Sequence, residues 1–198
     1  MALIGFLILF PLVVAALLLL FRGNAARNAI VWAGGIVTAV ASCAFVFGNL
    51  GAPEVLIPFE SEAVDWLCTG VSVAIVAVIL AFSARHKNPW AALLAVVQLV
   101  AVLVFELGLE VEAPVEYSLY YDSLSVLMAF IIGVVGSGIC IYAIGYMKDF
   151  QAHEPKGARD RRPTFFALMF LFLAAMFAIV FSNNMEWLFT GWEVTTVC

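Results

Sequence analysis

The chain has 198 residues, 65% of them hydrophobic and 12% charged, with a formal net charge of −5 at pH 7. A soluble domain carries about 45–50% apolar and about 25% charged residues, so this composition excludes a fold bathed in water on all sides. The apolar residues fall in uncharged blocks of about twenty, the helix length that crosses roughly 30 Å of hydrocarbon, and they lack the alternation of barrel strands.

The expected fold class is all-α, a polytopic transmembrane helix bundle of about six complete spans plus the start of a seventh. The first block, 2–21, lacks a basic flank and exceeds the usual apolar length of a signal peptide, which predicts a retained helix. Further spans are predicted at 29–47, 64–82, 90–107, 123–147 and 164–181, and another helix begins near Met185. This reading divides the chain into a four-helix membrane region, 1–116, and a second region, 117–198.

The connectors alternate in charge. All nine Lys and Arg residues lie in the first, third and fifth: Arg22 and Arg27, then Arg85 and Lys87, then Lys148, Lys156, Arg159, Arg161 and Arg162. The second carries or borders Glu54, Glu60, Glu62 and Asp65, and the fourth Glu106, Glu110, Glu112, Glu116 and Asp122. Because Lys and Arg are retained on the cytoplasmic side, loops 22–28, 83–89 and 148–163 are expected inside and the N-terminus outside, in a prokaryotic cytoplasmic membrane. Trp66, Trp90, Tyr117, Tyr120, Tyr121, Tyr142, Tyr146 and Trp187 fall near span ends, where amphipathic rings sit at the lipid–water boundary. The basic loop 148–163 reads as a solvated topogenic loop that can also meet anionic lipid or a soluble partner.

Cys43, Cys68, Cys140 and Cys198 are scattered without CxxC or CxxH spacing and read as small apolar helix residues, not as zinc or iron–sulfur ligands. His86 and His153 lie in loops far from a second ligand, so no metal site is expected. There is no Gly-rich dinucleotide turn either. The chain is therefore expected to hold no cofactor of its own and to bind no nucleic acid.

One titratable residue breaks the pattern of carboxylates near span ends. If the last helix begins near Met185, Glu193 lies roughly 12 Å along its axis, towards mid-membrane. A carboxylate there costs several kcal/mol unless it is protonated, paired or hydrated, which is why such groups are usually functional. A structurally hydrogen-bonded glutamate is the plainer alternative.

The stretch Tyr120-Tyr121-Asp122-Ser123-Leu124-Ser125-Val126-Leu127-Met128 is followed by Tyr142-Ala143-Ile144-Gly145-Tyr146-Met147, Phe165-Phe166-Ala167, Asn183-Asn184 and Leu188-Phe189-Thr190-Gly191-Trp192-Glu193. In order and spacing, over roughly residues 117–198, this set resembles the large antiporter-like membrane subunit of respiratory complex I (NADH:quinone oxidoreductase). The signature is shared with Mrp-type sodium/proton antiporters and energy-converting membrane-bound hydrogenases. The resemblance implies that Glu193 belongs to a membrane-embedded proton path, coupled to a lysine on a later, broken helix. It implies a capping or anchoring role for Asp122, and for Gly191 and Trp192 a role as packing neighbours that fix the carboxylate's setting. It also implies a redox-driven proton or sodium pump as the setting, with a Mrp-type cation/proton antiporter and a structural or assembly subunit as the other readings. In the pump, iron–sulfur clusters and a flavin or nickel–iron centre would sit on peripheral redox subunits, making this a non-redox membrane subunit of the complex.

Two departures from the family pattern carry expectations of their own. Four helices precede the Asp122 helix where the family usually has two, and the added pair is expected to line an interface with a neighbouring subunit. The three lysines, Lys87, Lys148 and Lys156, all lie in expected loops, and Cys198 follows closely on Glu193. The expectation is either half of a split subunit, completed by a second polypeptide that continues the antiporter-like domain and supplies the lysine, or a truncated product of partial function.

Overall fold

The computed structural model describes residues 1–21, 23–51, 53–59, 61–87, 89–108, 117–153 and 160–198, without the side chains at 102, 103 and 105–108. Arg22, Glu60, Glu110, Glu112, Glu116, Lys156, Arg159 and the side chain of Glu106 therefore lie outside the described residues.

The architecture is a helical bundle. Its elements run α1 (Ala2–Leu20), α2 (Asn24–Asn49), β1 (Val55–Ile57), α3 (Glu62–His86), α4 (Pro89–Gly108), β2 (Leu119–Tyr121), α5 (Ser123–Phe130), α6 (Ser137–His153), α7 (Arg162–Phe181) and α8 (Met185–Val197). A π-helical stretch, Ile131–Gly136, joins α5 to α6 in one continuous rod, Ser123–His153. Five helices among the described residues are long and apolar enough to cross a membrane: α1, α2, α3, the α5–α6 rod and α7. Within a bilayer every backbone polar group must be satisfied inside its own segment, which is why apolar blocks of this length settle as helices.

The helices outrun the apolar blocks that announce them. Arg27 and Arg85 stand in α2 and α3, and Lys148 and His153 in α6, so the expected loops 22–28, 83–89 and 148–163 are in good part helical. An apolar block marks only the lipid-facing length, whereas the backbone ladder continues into the interfacial region, where charged side chains reach water. The second departure is a two-stranded antiparallel ribbon that pairs Val55 with Tyr121 and Ile57 with Leu119.

The core centres on α7. Phe166, Phe170, Leu173, Phe177 and Phe181 are buried at intervals of three or four residues, a stripe down one face of the helix. α1 and α8 pack along α7, α2 lies against the α5–α6 rod, and α3 pairs with α4 and leans on α8. Helices from both expected regions, 1–116 and 117–198, thus share one packed body. Lipid is as apolar as these side chains, so close fit holds the helices together more than exclusion of water does. Of the glycines, Gly133 in the π-helical stretch is the most closely packed: an added Cβ would overlap Ser42 Oγ on α2.

The connectors converge in two groups. β1 and β2 pair, Leu119 bridges to Ser182, and the Asn183 N–H donates to the Ser118 carbonyl at 2.8 Å, so the second, fourth and sixth connectors meet on one face. At the opposite ends of the helices, Arg27 of α2 lies 3.8 Å from Asp160, joining the first connector to the fifth. Arg27 is buried against the Phe166 ring, its guanidinium carbon 6.0 Å from the centroid. Among the described residues, the β1–β2 ribbon thus gathers the second, fourth and sixth connectors at one face, and Arg27 and Asp160 join the first and fifth at the other.

Candidate functional site

The setting of Glu193 is built from the turn that precedes its helix. The Asn184 side chain accepts the Glu186 N–H at 2.9 Å and caps α8, which satisfies one of the free donors at a helix start. The Asn183 amide donates to the Tyr117 carbonyl at 2.8 Å and ties the turn to the strand side. With the helix start fixed at Met185, Glu193 lies about 12 Å along the axis.

Glu193 is 6% exposed. Its Oε2 accepts the Ser72 hydroxyl at 2.6 Å, and its Oε1 accepts the Gln98 amide. Ser72 lies about 15 Å into α3, and Gln98 stands midway along α4. Hydrogen bonds to a carboxylate are stronger than neutral ones, and a buried carboxylate stripped of donors is costly. Ser72 and Gln98 give this one a neutral clasp. The ion pairs among the described residues are Arg27–Asp160 and Arg162–Asp160, and neither reaches Glu193.

Further polar contacts run from this clasp towards the β1–β2 face. Thr69 Oγ1 donates to the Asp65 carbonyl one turn earlier at 3.1 Å and lies 3.4 Å from Glu186 Oε1, and the Trp187 indole N–H donates to Asp65 Oδ1 at 2.7 Å. Asp65, Thr69 and Ser72 follow a helical 4-then-3 spacing, as do Glu186, Thr190 and Glu193, so each set lines one face of its helix.

The three other residues singled out in the sequence are dispersed. Gly191 faces α7, where an added Cβ would stand 2.9 Å from Ile179 Cγ1, so its small size admits the close packing of α8 on α7. Trp192 does not pack around the carboxylate: it is 63% exposed, looking out of the chain. Successive helical residues are about 100° apart, so with Gly191 turned to α7 and Glu193 to α3 and α4, the residue between them is left on the third side. Asp122 caps α5 far along the chain, its Oδ1 accepting the Ser125 N–H at 2.7 Å and the Ser125 hydroxyl at 2.8 Å. These bonds, the backbone one first, hold the Asp122 carboxyl below its ordinary value.

Sequence reasoning missed Ser72 and Gln98. Gln98 carries a signal, since it is the single strongly polar residue between Pro89 and Phe105, and a lone polar residue deep in a span needs a partner. Ser72 carries a weaker one, through its helical spacing with Asp65 and Thr69.

Residues 110–159 match the family model described as NADH-Ubiquinone oxidoreductase (complex I), chain 5 N-terminus. NADH-quinone oxidoreductase subunit L of Mycobacterium tuberculosis is 42% identical over 79 residues, 40% of this chain and 11% of that protein. Na(+)/H(+) antiporter subunit A1 of Staphylococcus haemolyticus is 31% identical over 80 residues, 40% of this chain and 9% of that protein. NADH-ubiquinone oxidoreductase chain 5 of Dictyostelium discoideum is 37% identical over 79 residues, 40% of this chain and 10% of that protein. No solved structure matches the chain. The chain thus spans about a tenth of the length of these curated relatives. Glu193 lies outside the residues matched by the family model. Residues 110–159 of this membrane-helical chain are thus similar to the complex I chain 5 N-terminus, and two fifths of the chain is similar to subunits of NADH-quinone oxidoreductases and Na(+)/H(+) antiporters.

Proposed function

We infer that this chain is an ion-translocating, antiporter-like membrane subunit in which Glu193 takes up and releases the translocated proton. One observation carries the reading: a carboxylate on α8, two-thirds of the way along that helix and packed against the membrane-length α3, is 6% exposed and held by the neutral donors Ser72 and Gln98 alone among the described residues. A purely structural carboxylate at such depth would ordinarily be paired with a cation. Neutral donors leave Glu193 able to change charge when an outside cation approaches or retreats. That cation is a lysine outside residues 1–198. Gly191 supports the site by letting α8 sit close on α7.

The host assembly is a redox-driven pump of the complex I or energy-converting hydrogenase type, in a prokaryotic cytoplasmic membrane, with electron transfer confined to peripheral subunits. The likeness to Na(+)/H(+) antiporter subunit A1 favours a second setting, a multisubunit cation/proton antiporter that works without redox chemistry. The basic connectors face the cytoplasm and the β1–β2 ribbon faces outward.

The test is ion transport in sealed membrane vesicles that hold the native complex. Glu193→Gln is expected to abolish coupled proton movement, at least a hundredfold in rate, while the complex still assembles, and Glu193→Asp to keep part of it. Normal coupled transport by Glu193→Gln overturns the reading. Iron–sulfur proteins recovered with the tagged chain mark the redox pump, and small hydrophobic subunits alone mark the antiporter.

A further inference from the structure

We propose that the seam between α3 and α8 is the proton access route that joins Glu193 to the membrane face bearing the β1–β2 ribbon. The inference rests on the reading of Glu193 as a proton carrier and adds the path by which the proton passes between Glu193 and the outward face.

Three observations carry it. The first is a gradient of burial along one interface. Asp65 and Glu186 are half-buried near the starts of α3 and α8, Thr69 is half-buried one turn deeper, and Ser72, Thr190 and Glu193 are buried. The second is continuity. Asp65 meets Trp187, Thr69 meets Glu186, and Ser72 meets Glu193, each across the interface, while Gln98 of α4 closes the inner end. Both helices start on the face where β1, β2 and Ser182 meet, so the polar run opens there and ends near mid-membrane.

The third is Thr190. It lies one helical turn from both Glu186 and Glu193, on the same face of α8. It is 7% exposed, and its hydroxyl has no protein partner among the described residues. A buried hydroxyl left bare costs about 1–3 kcal/mol, so a hydroxyl on the helix face that carries Glu186 and Glu193 suits a water or a hydrated proton beside it.

Hydroxyls both donate and accept. Ser72 can give its proton to Glu193 and take another from a water on the Thr69 side, so a proton moves inward with no net change at Ser72 and no electron transfer. Asp65 and Glu186 at the opening attract protons from the adjoining solution. Cys68, a buried thiol one turn before Ser72 on α3, is a further titratable group beside this seam. The helix pair α3–α4 thereby acquires a task of its own, supplying one wall of the route.

The test uses the native complex in sealed vesicles of both orientations. Thr69→Cys and Thr190→Cys are expected to react with a membrane-impermeant thiosulfonate from the β1–β2 face and not from the other. Thr69→Val keeps the side-chain shape but removes the relay hydroxyl, and it is expected to slow proton transfer through the seam about tenfold, the effect of losing roughly one hydrogen bond's worth of stabilisation. Thr69→Ser should restore the rate, which separates a relay from a packing role. Labelling from the opposite face, or no labelling at either position, overturns the route. Full proton transport by both Thr69→Val and Ser72→Ala, with transport still abolished in Glu193→Gln, overturns the route and leaves Glu193 as the carrier. Transport retained in Glu193→Gln overturns the carrier and the route with it.

Discussion

A carboxylate in the middle of a helix acquires its meaning from the atoms around it. For Glu193 those atoms are the Ser72 hydroxyl and the Gln98 amide, contributed by helices far away in sequence. The residue itself was legible, because charge deep in an apolar run is costly wherever it occurs. Its partners were not, because contacts separated by 121 and 95 positions in the chain leave no local spacing to read. Asp122 is the contrasting case. Its cap is a contact over three residues, and the sequence Asp-Ser-Leu-Ser shows both ends of it. Because the Ser125 bonds hold the folded-state value below 3.8, the unfolded chain binds a proton more readily than the folded one in that range. The stabilisation is therefore complete above the unfolded value and is lost as pH falls through the folded one. Thermal unfolding of the detergent-solubilised chain between about pH 6 and pH 3 should show the Asp122→Ala variant less stable than the parent at the upper end, with the difference shrinking as the pH drops. A difference that does not change with pH would exclude the carboxylate as the cause.

At the scale of elements, the lipid-spanning lengths were plain from composition, but the helix ends were not. Arg27 shows why: a basic residue marks a connector in a charge count, yet here it lies in the first turn of α2, sheltered by Phe166 and facing Asp160. The short β1–β2 ribbon was equally hidden, since three residues of strand leave no periodicity to detect. Where helices touch, shape decides. Gly133 in the π-helical stretch leaves room for Ser42, and an added methyl group would overlap it. Gly133→Ala is expected to destabilise the protein by about 1–3 kcal/mol, read as a lower unfolding midpoint in detergent. Adding Ser42→Gly should recover part of the loss, since the two positions touch and their effects are coupled. Independent, additive losses from the two substitutions would contradict this account of the crossing.

For the molecule as a whole, the alternation of connectors along the chain translates into two distinct ends, one closed by the β1–β2 ribbon and the other held by Arg27 and Asp160. The sequence reading assigned α3 and α4 to an interface with a neighbouring subunit, yet in the structure their inner side holds Glu193. That difference is one of scale, because a helix pair read by itself shows only its apolar surface, and its polar stripe gains a purpose when α8 is laid against it. The central claim is that Glu193 exchanges a proton as the assembly works. Infrared difference spectroscopy on the native complex, recorded as it is driven between its working states, tests this most directly. The account predicts a carboxylic acid carbonyl band that rises and falls with the cycle, shifts when Ser72→Ala removes a hydrogen bond, and is missing in Glu193→Gln. A difference spectrum in that region unchanged by Glu193→Gln would show that Glu193 keeps one protonation state throughout and would contradict the account.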